Sequence, residues 1–105
     1  MRDKLLQIIN HYGINKQLKY IHSEYFELDE AIISCQHKGC FETIIDGFFG
    51  DSESKEHIAQ EIADIMVMLK QFQYYYDIKE EKIMEIMESK IDRQLERINS
   101  ENKSR

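Results

Sequence analysis

"HIAQEIADIMVMLKQFQYYY", residues 57–76, carries apolar side chains at Ile58, Ile62, Ile65, Leu69, Phe72 and Tyr76, spaced 4, 3, 4, 3 and 4. That spacing lays six side chains along one face of an α-helix, whereas one face of a strand recurs at every second residue. The same rhythm runs through Ile14, Leu18, Ile21, Tyr25, Leu28 and Ile32. Proline is absent, there are four glycines, and 42% of the residues are hydrophobic against 32% charged. This balance belongs to helical proteins rather than to sheets or disordered chains. The expected class is all-α: an antiparallel four-helix bundle-like protomer forming one domain over residues 1–105, with a polar tail over 100–105.

Punctuation sets the expected boundaries. A first helix over 4–12 stops at Gly13, and Asn15 caps a second that runs to about His37. The segment "KGCFETIIDGFFGDSES", residues 38–54, breaks the period with Gly39, Gly47 and Gly50 and reads as a long connection. Asp51, Ser52 or Ser54 caps a third helix ending near Asp77. A fourth helix over 79–99 turns Ile83, Met84, Met87, Ile91, Leu95 and Ile98 inward, and the tail "SENKSR" is expected to fray. The third helix is apolar over more of its circumference than one neighbour covers, so self-association as a homodimer or homotetramer is expected.

The formal charge of −6 opposes a broad phosphate-backbone footprint and excludes a nucleic-acid polymer as the main partner. Charges stand on both sides of the short apolar run in "MRDKLLQIINHYG", with no small-residue cleavage site, so no signal peptide is expected. No run approaches the roughly 18 apolar residues of a membrane span, and a cytoplasmic protein without a membrane partner is expected. Cys35, His37 and Cys40 lack the second Cys/His pair that would close a zinc site, and the cysteines are expected as free thiols.

Asp64 interrupts the most apolar part of the third helix, with Glu61 three residues before it; Glu24 and Glu27 form a similar pair on the second. At about 100° per residue, Glu24 and Glu27 lie roughly 80° and 140° off their helix's apolar stripe, and Glu61 and Asp64 roughly 60° and 120° off theirs, in the same rotational sense. If the two helices pack antiparallel, equal-sense offsets bring all four acids to one side at matched heights. Four carboxylates on one patch repel unless a cation sits among them. A hard divalent ion, Mg²⁺ or Mn²⁺, suits oxygen ligands and keeps water positions open for a phosphate.

"YGINKQLKYIHSEYFELDEAI" followed by "HIAQEIADIMVMLKQFQYYY" resembles the MazG-like branch of the all-α nucleoside triphosphate pyrophosphohydrolases, whose pattern is EExxE, a connection, then ExxD. The likeness extends from about Ile14 to Ile98. It implies Mg²⁺-dependent cleavage of a nucleoside triphosphate between the α- and β-phosphates, with Glu24, Glu27, Glu61 and Asp64 as metal ligands. Ser23 stands where the pattern has its first Glu, and the connection is longer than in compact members.

On this reading Glu24 or Glu27 also orients or deprotonates the attacking water. Lys90, Arg93 and Arg97, at i, i+3 and i+7 of the fourth helix, are candidate substrate-binding residues that meet phosphates; the bland alternative is a solvated face. Phe48 and Phe49, between Gly47 and Gly50, are candidates for covering a base or packing on a neighbouring subunit. Tyr74, Tyr75, Tyr76 and the five methionines are expected to fill core and interface, and His11, His22 and His57 to be surface or packing histidines. A ferritin-like oxidase needs Glu-x-x-His pairs, which none of the four histidines completes. A non-catalytic helical regulator or adaptor is the remaining rival.

Overall fold

The computed structural model describes residues 1–38 and 51–103, with the side chains of His37 and Lys38 excepted. Most of the expected connection, with Cys40, Phe48 and Phe49, lies outside the described residues. Four helices and no strand are present among those described: α1 (Arg2–Tyr12), α2 (Ile14–Lys38), α3 (Ser52–Tyr75) and α4 (Glu80–Lys103). The chain packs as two units, Met1–Tyr75 and Tyr76–Arg105. No described helix is long and apolar enough to cross a membrane.

Gly13 both ends α1 and starts α2. Its N–H donates to the Ile9 carbonyl at 2.7 Å, and its own carbonyl accepts from the Gln17 N–H at 3.2 Å. With φ 88° and ψ 151° it occupies a region that essentially only glycine enters. Asn15 is therefore not the cap; it lies inside the first turn of α2. At α3 the cap is Asp51, whose Oδ1 accepts from the Ser54 N–H at 2.7 Å.

In the first unit α2 packs chiefly on α3, and α1 lies across both, more on α3. The buried apolar residues are Leu5 and Ile9 of α1, Ala31 and Cys35 of α2, and Met68 of α3. As many polar residues are buried: Gln17, Glu24, Ser54, Gln71 and Gln73. The seam therefore keeps only half of each expected stripe. On α2 it follows Gln17, Ile21, Glu24, Leu28, Ala31 and Cys35, leaving Leu18, Tyr25 and Ile32 exposed. On α3 it follows Ser54, Ile58, Glu61, Ile65, Met68 and Phe72, leaving Ile62 and Leu69 exposed. Both helices are rotated toward their acids, because the 4-3 rhythm fits either edge of a broad apolar arc.

Of the five methionines only Met68 is buried; Met1, Met66, Met84 and Met87 are exposed. Tyr74 is partly covered, with the Arg2 guanidinium 5.5 Å from its ring, while Tyr75 and Tyr76 are exposed.

The second unit begins with a turn in which Asp77 takes φ 54°, a left-handed conformation that aspartate tolerates. α4 follows and extends to Lys103, past the expected end at 99, so Ser100–Lys103 are helical rather than frayed. Glu101 and Lys103 are good helix formers, and a lysine in the last turn complements the helix dipole. No residue of α4 is buried, and its stripe of Met84, Met87, Ile91, Leu95 and Ile98 is exposed.

Candidate metal centre

Three pairs set the register of α2 against α3. The Gln17 Nε2 donates to the Gln71 Oε1 at 2.8 Å. Seven residues on along α2 and seven back along α3, Glu24 and Asp64 come within hydrogen-bond reach, and three further each way Glu27 meets Glu61. The helices are antiparallel, the condition under which the sequence offsets bring the acids together. One carboxylate oxygen from each of Glu24, Glu27, Glu61 and Asp64 lies within 4.8 Å of the others.

Burial follows the angular order read from the sequence. Glu24 and Glu61, with the smaller offsets, are buried and partly buried; Glu27 and Asp64, with the larger, are exposed. Asp64, conspicuous among apolar neighbours in the sequence, thus lies at the rim, and the acid withdrawn from water is Glu24, only 5% exposed. The rotated seam accounts for this, since it places Glu24 on the α2–α3 contact line.

Glu24 Oε2 and Glu61 Oε2 are both buried with no hydrogen-bond partner. An ionised carboxylate oxygen in that position costs several kcal/mol or more unless something positive meets it. Burial raises the pKa of Glu24, and the charges of Glu27 and Asp64 raise it further, against a lowering hydrogen bond from Tyr20. Glu27 is also raised, first by partial desolvation and then by the charge of Glu61 and a hydrogen bond to it. The donor set fits a hard cation. Its four carboxylate oxygens, all within 4.8 Å of one another, are the hard oxygen ligands that such an ion takes.

Two residues support the acids from within their own helices. Tyr20, one turn before Glu24, hydrogen-bonds to it, and this bond is the main reason the phenol's pKa is raised: losing the proton would break it beside a carboxylate. His57, one turn before Glu61, places Nε2 3.5 Å from Glu61 Oε1. The orphaned oxygen of Glu61 is its other one, Oε2. His57 is a surface residue as expected, yet it has a partner at a spacing the sequence displays.

Lys90, Arg93 and Arg97 belong to the second unit and are exposed on α4. Arg93 lies with Glu85, Glu88, Asp92 and Glu96 around a surface groove of that helix. Cys35 is a buried free thiol.

No protein-family model, no curated protein and no solved structure matches this chain.

Proposed function

We propose that the protein is a Mg²⁺-dependent nucleoside triphosphate pyrophosphohydrolase, cleaving a nucleotide between the α- and β-phosphates to monophosphate and pyrophosphate. The supporting observation is the pair of orphaned buried oxygens, Glu24 Oε2 and Glu61 Oε2, within a four-carboxylate cluster. The resemblance of "EYFE" and "EIAD" to the ExxE and ExxD of MazG-like enzymes points the same way.

Glu24, Glu27, Glu61 and Asp64 would hold the ion, with Mn²⁺ as a substitute. Bound there, Mg²⁺ supplies charge neutralisation on phosphate oxygens and a more acidic water. The chain's own contribution is positional. Tyr20 fixes Glu24 and His57 fixes Glu61, so the two inner carboxylates are set before substrate arrives. Glu27 stands at the exposed rim with a raised pKa, which suits it to orient or deprotonate water better than Glu24, whose carboxylate is buried.

The working form is a homodimer or homotetramer in the cytoplasm. The exposed Leu18, Tyr25, Ile32, Ile62 and Leu69 of the α2–α3 pair leave an apolar face of the kind that subunit contacts bury. The test is pyrophosphate release from a panel of canonical and damaged nucleotides with Mg²⁺. Turnover that chelator abolishes is expected; no turnover on any nucleotide, with no Mg²⁺ stabilisation, refutes the assignment. One observation favours a non-catalytic helical regulator instead: the exposed stripe of α4 is a ready surface for a partner helix. Such a protein would not respond to Mg²⁺.

A further inference from the structure

A cleft of about 430 Å³ opens beside the acid cluster, inside the first unit, and two of the cluster's acids, Glu24 and Asp64, form its end wall. Away from them it is walled by α1, the first two turns of α2, and α3. Ile8, Val67 and Met68 supply apolar surface and Tyr12 a ring. Two carboxamides, Gln17 and Gln71, also line it, and both are buried, at 6% and 1% exposure. Buried amides are costly unless their hydrogen bonds are made.

The bonds they make fix a direction. Gln71 turns its NH₂ toward the Met68 sulfur at 3.7 Å and offers Oε1 to the Gln17 Nε2 at 2.8 Å. A glutamine side chain has two N–H donors and a carbonyl with two acceptor sites, so the bond to Gln71 leaves Gln17 one N–H and its carbonyl oxygen on the same amide. That adjacent donor and acceptor, held by a second buried amide, is the complement of a nucleobase edge, which glutamine pairs with bidentately. Apolar and aromatic walls beside such an edge-reading group are how an isolated base is gripped. Gln17 precedes Glu24 by seven residues, two turns on the same face, which is about 10 Å along α2. The span from a nucleotide's phosphates to the edge of its base is of that order.

We propose that this cleft seats the nucleobase of the substrate, with the Gln17 carboxamide reading its hydrogen-bonding edge while the phosphates reach the acid cluster. The placement rests on the acid cluster being the phosphate end of the site, but the base subsite is testable without phosphate or metal.

The experiment is an NMR titration of the ¹⁵N-labelled full chain in EDTA with uridine, cytidine, adenosine and guanosine, with ribose as the baseless control. At least one nucleoside is expected to shift the side-chain amide signals of Gln17 and Gln71, ribose is not, and Gln17→Leu is expected to weaken that nucleoside about ten- to a hundredfold, as loss of a bidentate pair does. The inference is overturned if no nucleoside moves those signals, if ribose moves them equally, or if a folded Gln17→Leu protein binds as tightly as the parent. Should Gln17→Leu not fold, the parent's titration decides alone. A protein that binds nucleosides at Gln17 yet releases no pyrophosphate keeps this subsite and loses the hydrolase assignment. One that hydrolyses nucleotides and also tripolyphosphate, with Gln17→Leu leaving their rate ratio unchanged and no nucleoside shifting the amides, keeps the reaction and loses the subsite.

Discussion

Glu24→Gln separates the two things a buried carboxylate can do. Glu24 is almost wholly removed from water, shares its surroundings with three other acids, and has one oxygen without a partner. Without metal the substitution removes an uncompensated charge and supplies an amide that can donate to Asp64. An unsatisfied buried group costs about 1–3 kcal/mol, so relief of about 1–2 kcal/mol is expected. For a domain of this size that raises the melting temperature by roughly 5–15 °C. With Mg²⁺ at a hundred times its dissociation constant, the parent gains about 2.7 kcal/mol and the variant, short of one ligand, gains little. The order of stability should therefore reverse: variant above parent in EDTA, parent above variant in Mg²⁺. Scanning calorimetry of both proteins in both buffers reads this directly, and pyrophosphate release should fall by about a hundredfold or more. If the variant melts below the parent in EDTA, and Mg²⁺ leaves the parent unmoved, then Glu24 anchors the helix pair and the metal argument fails.

Asp64→Asn, at the exposed rim, should change the melting temperature in EDTA little while lowering turnover by about a hundredfold, measured as Mg²⁺-dependent pyrophosphate release. The pH dependence follows from the acids' directions. Glu24 and Glu27 are raised above 4.5, so the folded state holds protons the unfolded chain has released, and stability falls as pH rises from 4.5 through the raised values. Urea midpoints taken in EDTA from pH 4.5 to neutrality should show a decline that the Glu24→Gln, Glu27→Gln double variant lacks; identical slopes would refute it. Gly13→Ala meets no steric contact, but it forces a side chain into a glycine backbone region and should destabilise the fold by about 1–3 kcal/mol in urea denaturation.

The helices were legible because their period is written in isoleucines and leucines, and Gly13 and Asp51 carry the chemistry of their caps. The acid cluster was legible because angular offsets depend only on the helical repeat: whichever edge of the apolar arc packs, Glu24, Glu27, Glu61 and Asp64 stay on one side. The seam itself was not. Leu18, Tyr25 and Ile32 compete with Gln17, Glu24 and Ala31 for the inward position, and hydrophobicity alone favours the wrong set. What reverses the choice is tertiary: α1 packs on both helices and buries Leu5 and Ile9, and Gln17 finds Gln71 54 residues away. His57 and Tyr20 could have been found from their one-turn spacing to Glu61 and Glu24. No local signal marks the buried amide pair, since a glutamine on a helix is ordinarily a surface residue.

The antiparallel pairing of Gln17 with Gln71, Glu24 with Asp64 and Glu27 with Glu61 works as a vernier. Apolar seams tolerate sliding, because one leucine fits a neighbour's gap nearly as well as another. Sliding by a single helical turn, about 5.4 Å, would carry every carboxylate past its opposite number by more than the 4.8 Å that now spans the whole set. A polar tooth two turns from the acids forbids that slip, since disengaging it strands two buried amides at once. Changes at Gln71 should therefore be felt at Asp64 as lost alignment, even though no atom of Gln71 needs to touch a metal.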